Sequence, residues 1–474
     1  MSLLKVDGTK LVDEEGKETI LRGAGLGGWM NMENFISGYP GCEFQIRQAL
    51  GEVVGPEKSE FFFDKFLEYF FQDADAKFFS ELGLNCIRLP FNYHHFEDDM
   101  NPRVLKESGF KHLDRVIDLC AAHGIYTILD LHTAPGGQNT DWHSDHGGHI
   151  ANFWVHKDFQ DRTIWLWEKL AEHYKGNKWI AGYNPLNEPT DPTQSRLIDF
   201  YHRVHSAIRA IDSEHVIFFD GNTFASDFSH FGDAHQKWDN TAYSIHDYSV
   251  FGFPASPEQY VGNDQQLHRL KRSYEKNVNG WISGGCVFGT ESGAQSTPAN
   301  NTKARKRRES MPSAFRCSRT SLTSTTSWSI WLYKDIGFQG MVYVDTEAPY
   351  MALFRNFLAK KHRLAVDAWG ADDVAVKQVY QPILDHILQE IPPEFRDLYP
   401  APVWRLSDRV ARLSRNILVS EFLVKEWAEH FRGRIDSCKD LDELDKIAAS
   451  FKYEACLKRD GLNKILTANS KAVA

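Results

Sequence analysis

Cysteine is scarce and scattered. There are seven in 474 residues (Cys42, Cys86, Cys120, Cys286, Cys317, Cys438 and Cys456), an odd number with no CxxC spacing. That speaks against a disulfide frame or a zinc site and suits reduced thiols in a cytoplasmic protein. No apolar run reaches the roughly 18 residues that cross a bilayer, so no transmembrane segment is expected. The opening "MSLLKVDGTKLVDEEGKE" lacks the basic patch and apolar stretch of a secretory leader. Positive charge is not in excess either. Lys and Arg number 54 against 64 Asp and Glu, a net charge of −10, which argues against nucleic acid or an anionic membrane as the main partner.

Core material is abundant, with 42% hydrophobic and 13% aromatic residues. From Thr19 onward, short apolar runs alternate with helical patterns. The runs are "TILRGAGLGGW", "NCIRLPFNY", "IYTILDLH", "IAGYNPLNEP", "HVIFFDG", "TAYSIHDYS" and "SWSIWLY". Continuous apolar runs are expected of parallel strands buried on both faces. Each ends in a polar or aromatic cluster: Arg88 to Asn92, Asp130 and His132, Asn187 and Glu188, Asp220 and Asn222, His246 to Tyr248, and Trp331. Strand-then-helix units with chemistry at every carboxyl end predict a (β/α)8 barrel over residues 1–365. Seven strands are legible, and a gap falls where the seventh of eight belongs, with "GGCVF" (Gly284 to Phe288) as its remnant. Residues 366–474 change to amphipathic patterns and read as a helical extension packed on the barrel. Within it Val410, Leu413, Ile417, Leu418, Phe422 and Val424 recur at helical spacing.

The strongest motif is "GYNPLNEPT", Gly182 to Thr190. A carboxylate there, with an amide before it and a proline after it, faces the mouth of a barrel. Arg88 at the end of another strand is a natural partner to fix a carboxylate. His132, His246 and Tyr248 add hydrogen-bonding groups at two further strand ends, and Trp331 offers a platform for a sugar ring. Any one of these could be a core residue, but their joint placement at strand ends points to a site.

These motifs resemble glycoside hydrolase family 5, retaining β-glycosidases on (β/α)8 barrels. "LRGAGLGGWMNMENF", "IRLPFN", "NPLNEP", "SIHDY" and "SWSIWLYKD" match its strands in order, from about Lys5 to Asp367. "GGWMNMENFISGYPG" and "GMVYV" are most similar to intracellular fungal β-glucosidases acting on glucosylceramide and steryl glucosides. The resemblance implies Glu188 as acid/base, Arg88 and Tyr248 holding the nucleophile, and Asn187 donating to the sugar 2-hydroxyl. It places Glu33, His132 and His246 in the glucose subsite, with Trp331 stacking on the sugar, and it implies neither metal nor cofactor. An exo-β-1,3-glucanase, or an inactive barrel that only binds, are the alternatives.

The family's nucleophile is a Glu at the end of the seventh strand, in a segment such as W-N-G-E-W-G-P-V-Y-A. This chain has "CVFGTESGAQSTPA", where Glu291 is the one carboxylate at hand. Permissible codons for Gly289 to Pro298, read one base earlier, encode W-N-G-E-W-G-P-V-Y-A. We therefore expect Gly289 to about Thr326 to be translated out of frame, with the frame regained at "SWSIW". The competing reading takes "KARKRRE", Lys303 to Glu309, as a nuclear signal or a basic contact patch.

Overall fold

Eight parallel strands close into a barrel in the computed structural model, in the order β1 to β8 with β8 returning to β1. They are β1 (Arg22–Gly25), β2 (Cys86–Asn92), β3 (Tyr126–Thr133), β4 (Ile180–Asn184), β5 (Val216–Asp220), β6 (Thr241–His246), β7 (Cys286–Gly293) and β8 (Ser327–Trp331). The structure describes residues 2–246, 264–265, 268, 286–293, 327–366, 374–395, 406–432 and 440–471, with backbone alone at 286–293 and at a few helix-end positions. Every residue of β2 and β3 is buried, as expected for strands covered on both faces.

The expected gap at the seventh strand is corrected. β7 runs through Gly293, five residues into the segment read as out of frame, and pairs with β6 from Ala242↔Cys286 to His246↔Thr290. On its other edge Thr290 faces Ser329 and Ser292 faces Ile330, so Glu291 is the extra residue of a bulge. The remainder of that segment, including Lys303 to Glu309, lies outside the described residues.

A one-turn helix at Asn34–Ser37 and three longer helices separate β1 from β2: α1 (Glu43–Val54), α2 (Pro56–Phe70) and α3 (Asp73–Glu81). The ring continues with α4 (Phe110–Ala122), α5 (Lys157–Tyr174), α6 (Ser195–Ile211) and, after β8, α7 (Pro349–Arg363). In α4 the buried residues Phe110, Leu113, Val116, Ile117 and Cys120 keep the three-and-four spacing of one helical stripe. A hairpin of Lys5–Asp7 and Lys10–Val12 precedes the barrel. Its Leu11 clusters with Cys86, Tyr126, Val216 and Ala242 near the strand starts, closing the end opposite the site.

The extension comprises α8 (Val374–Glu390), α9 (Leu406–Leu418), α10 (Val424–Arg432), α11 (Asp440–Ala448) and α12 (Asp460–Lys471). α10 packs on α1 and α11 on α2, and one apolar cluster runs from barrel residues such as Ala24 to Leu466 of α12. Cys456–Lys458 pairs antiparallel with Val342–Val344, and Phe451 inserts between Phe66, Phe70 and Tyr350. The apolar face expected here is only partly the buried one. Leu413, Ile417 and Phe422 are 56%, 64% and 62% exposed, whereas Val419, Leu423, Val424 and Trp427 are buried. A π-turn at Val419–Leu423 joins α9 to α10. Its extra residue rotates the following face by about 100°, so no single 3.6-residue stripe spans both helices.

Candidate active site

β4 ends at Asn184, and the next four residues bring Glu188 over the carboxyl end of the barrel. Glu188 has φ +48°. That left-handed backbone costs a non-glycine residue about 1–2 kcal/mol. Fixed partners hold it: its N–H donates to Asp220 Oδ2 at 2.9 Å, and its carbonyl accepts from Asn139 Nδ2 at 3.0 Å. The carboxyl group, only 7% exposed, lies between two imidazoles. His246 Nδ1 is 2.7 Å from Oε1, and His143 Nε2 is 3.1 Å from Oε2. A carboxyl so placed can both release and recover a proton.

Arg88 crosses beneath it. One guanidinium nitrogen donates to Asn184 Oδ1 at 2.9 Å and to Asn187 Oδ1 at 2.7 Å, and lies 3.1 Å from Asp130 Oδ2. Asp130 in turn holds His132 Nδ1 at 2.7 Å. His132 Nε2 lies 3.3 Å from Asn187 Nδ2 and 3.8 Å from Glu33 Oε1. The chain Arg88–Asp130–His132–Asn187 closes on itself, so each polar group fixes the orientation of the next.

Trp331 lines the same side, its ring stacked on His132. The Gly-rich run after β1 makes the room. A Cβ on Gly25 would stand 2.5 Å from Trp331 Cε3, and one on Gly27 2.4 Å from Trp331 Cζ2. "RGAGLGG" is thus a seat for an indole as well as a turn.

Of the residues expected from sequence, Glu33, Arg88, His132, Asn187, Glu188, His246 and Trp331 come together here, all buried. Tyr248 and the Glu291 side chain lie outside the described residues; the Glu291 backbone is next to Thr290, the β7 partner of His246. Sequence reasoning missed Asn139, Asp141 and His143 in the loop after β3, and Asn184 in β4. It also gave Asp130 and Asp220 no role beyond being polar strand ends. The run "DWHSDHGGH", directly after a barrel strand, was the available signal.

The electrostatics follow from burial and neighbours. Asp220 is pushed up to about 6 by burial, with the charges of His246 and Arg88 pulling the other way. Burial would lower His143, but its bond to Glu188 and that residue's charge, then Asp141 and Glu33, raise it to about 9. Burial also opposes ionisation of Asp141, yet Arg412 and His143 hold it well below the usual carboxylate range. Arg412 comes from α9, with its guanidinium nitrogens 3.1 Å from Asp141 Oδ2 and 3.1 Å from the Thr140 carbonyl. Among the described residues no group of three or more His, Cys, Asp or Glu could hold a metal ion, and no helix is long and apolar enough to cross a membrane.

The family model described as Cellulase (glycosyl hydrolase family 5) matches residues 56–334. A protein of Phanerodontia chrysosporium named beta-xylosidase is 68% identical over 485 aligned positions, covering 100% of this chain and 99% of that one. A probable glucan 1,3-beta-glucosidase A of Emericella nidulans is 30% identical, over 49% of this chain and 58% of its own. The fold is shared with the crystal structure of rutinosidase from Aspergillus niger, at a TM-score of 0.51, 16% identity and coverage of 68% of this chain and 92% of that one. With its barrel and this match over more than half its length, the chain belongs to glycosyl hydrolase family 5 and is a glycosyl hydrolase.

Proposed function

We propose that the chain is a retaining β-glycosidase that removes one terminal sugar, with Glu188 as acid/base and the nucleophile supplied from the carboxyl end of β7. The observation that carries this reading is Glu188 itself, buried between His143 and His246 and backed by the Arg88–Asn187 contact. Retention needs a second carboxyl about 5–5.5 Å away, which attacks the anomeric carbon while Glu188 protonates the leaving oxygen. Glu188 then takes a proton from water, whose hydroxyl displaces the enzyme carboxylate. Asn187, held by Arg88, faces the sugar as donor to its 2-hydroxyl, and Trp331 stacks on the ring.

For the substrate we favour a β-glucoside with a lipid aglycone, glucosylceramide or a steryl glucoside. Supporting this, α9 presents exposed Leu413 and Ile417 on the helix whose Arg412 bonds the site loop, an apolar surface near the mouth. A second reading, a β-xylosidase, is favoured by the name of the 68% identical relative. Xylose lacks only the hydroxymethyl group on C5, so the residues that meet that group decide between the two sugars.

Hydrolysis of aryl β-glucoside, aryl β-xyloside, glucosylceramide, steryl glucoside and laminarin separates the readings. Preference for glucosylceramide or steryl glucoside supports the first, and an aryl xyloside preferred tenfold or more replaces it with the second. Laminarin as best substrate makes it an exo-glucanase. No hydrolysis of any of them overturns the proposal.

A further inference from the structure

The loop after β3 and the helical extension together place a charged chain behind Glu188 that the proposed function does not use. We propose that Glu188 and His143 share one proton, and that Asp141 and Arg412 of α9 set how tightly the pair holds it. This rests on Glu188 being the acid/base. His143 then acts as proton partner, and Asp141 and Arg412 as positioning residues.

Asn139 biases the proton's location. Its Oδ1 accepts from the Asp141 N–H at 2.9 Å and its Nδ2 donates to the Glu188 carbonyl at 3.0 Å, so its amide cannot be turned over. The same Nδ2 stands 2.8 Å from His143 Nε2. A donor facing Nε2 calls for a lone pair there. The single in-plane position of Nε2 cannot serve both Asn139 Nδ2 and Glu188 Oε2, 3.1 Å away, so Asn139 weakens the hold of His143 on the shared proton and favours its passage to Oε2. That is where a general acid needs it. When the sugar is transferred, the second carboxylate bonds the anomeric carbon as the C–O bond to the aglycone breaks, the proton passes from Glu188 to the departing oxygen, and the aglycone leaves as a neutral alcohol. Water then gives its proton back to the pair and its hydroxyl to the anomeric carbon.

How long the pair keeps its proton as pH rises depends on the charges around it. Glu33 faces it from the segment after β1, Arg88 from β2, Asp130 and His132 from β3, Asp220 from β5 and His246 from β6. Among the described residues two further charges act from behind. Asp141 adds negative charge that favours the proton, and Arg412, bonded to Thr140 O and both Asp141 oxygens, offsets it. The extension thereby reaches the site through Arg412.

The test uses the full chain labelled with 15N-histidine, the His143 signal being assigned by its loss in His143→Gln, together with kcat/KM for an aryl glycoside against pH. The pair's last proton should leave near the raised value of His143, about 9, and the alkaline limb of kcat/KM should follow it. Asp141→Asn should move both to lower pH by about 1 unit, and Arg412→Met should move both to higher pH, because a neighbouring charge shifts a pKa by about 1–3 units. Arg412→Lys should restore the wild-type limb, which a merely disordered loop would not allow. Two variants that scale the rate equally at all pH, or shift the titration in the same direction, overturn the pair. A titration that shifts as stated in a chain that hydrolyses nothing upholds the pair and overturns the proposed function instead.

Discussion

The imidazole of His132 lies parallel to the indole of Trp331, ring centroids 5.4 Å apart and planes inclined by 2°. His132 is itself locked by Asp130, so the indole, the proposed sugar platform, is oriented by a charge chain that begins at Arg88. Trp331→Ala should lower kcat/KM about tenfold through loss of stacking. Gly25→Ala should give the same loss with the indole still present, because its Cβ would displace the ring. Steady-state kinetics with an aryl glycoside and the near-ultraviolet dichroism of the indole check both.

Glu188→Gln keeps both histidine contacts but removes the proton. Turnover of alkyl or lipid glycosides should fall by roughly 10²–10⁴, whereas a dinitrophenyl glycoside, which needs no acid, should still release its phenol in a first burst. Equal loss on both substrates would mean that Glu188 acts in some other way.

Replacing residues 289–326 by the frame-restored sequence should raise kcat for aryl glycosides by orders of magnitude, since the restored strand carries a Glu between Gly and Trp. Glu291→Gln in the unaltered chain then reports what that carboxylate does by itself. A chain that is already fully active, and loses activity with Glu291→Gln, would show the existing residues to be functional as they are.

Lys334 and Asp75 form an ion pair of 2.7 Å with both side chains fully buried, and Lys334 also donates to the carbonyls of Phe70 and Phe451. Lys334→Met leaves Asp75 without its counter-charge and should destabilise the fold by about 3–5 kcal/mol in urea unfolding. Because Phe451 belongs to the extension, the loss should also weaken its docking, visible as faster proteolysis beyond residue 432.

His112 and His149 are held near 4, in both cases chiefly by burial, aided at His149 by the charge of Arg412. In the unfolded chain they take up protons below about pH 6.5. The folded form therefore binds fewer protons between pH 6.5 and 4, and stability falls as pH drops through that window. Each should contribute about 2 kcal/mol of loss by pH 5. Urea midpoints at pH 7 and pH 5 for wild type and for His149→Gln measure it, and the variant should lose less.

Strand-end chemistry was legible because period and placement are local. "NPLNEP", "IRLPFN" and "SIHDY" put Glu188, Arg88 and His246 at carboxyl ends that a barrel must bring together. The His-rich run marked the His143 loop as polar, but the contact with Glu188 was not legible, since the loop has no period and the contact spans elements. The buried face of α9 and α10 was misread because a π-turn breaks the repeat on which the reading depended.

The sequence alone determined the strand-and-helix alternation, and with it the barrel and the residues at its mouth, because burial on both faces of a parallel sheet writes continuous apolar runs. Only the tertiary structure decided that Asp141 and Arg412 stand behind Glu188 and that Trp331 lies on two glycines. Those contacts join segments hundreds of residues apart, from Gly25 to Trp331 and from Thr140 to Arg412, and nothing in local periodicity encodes which group will face which.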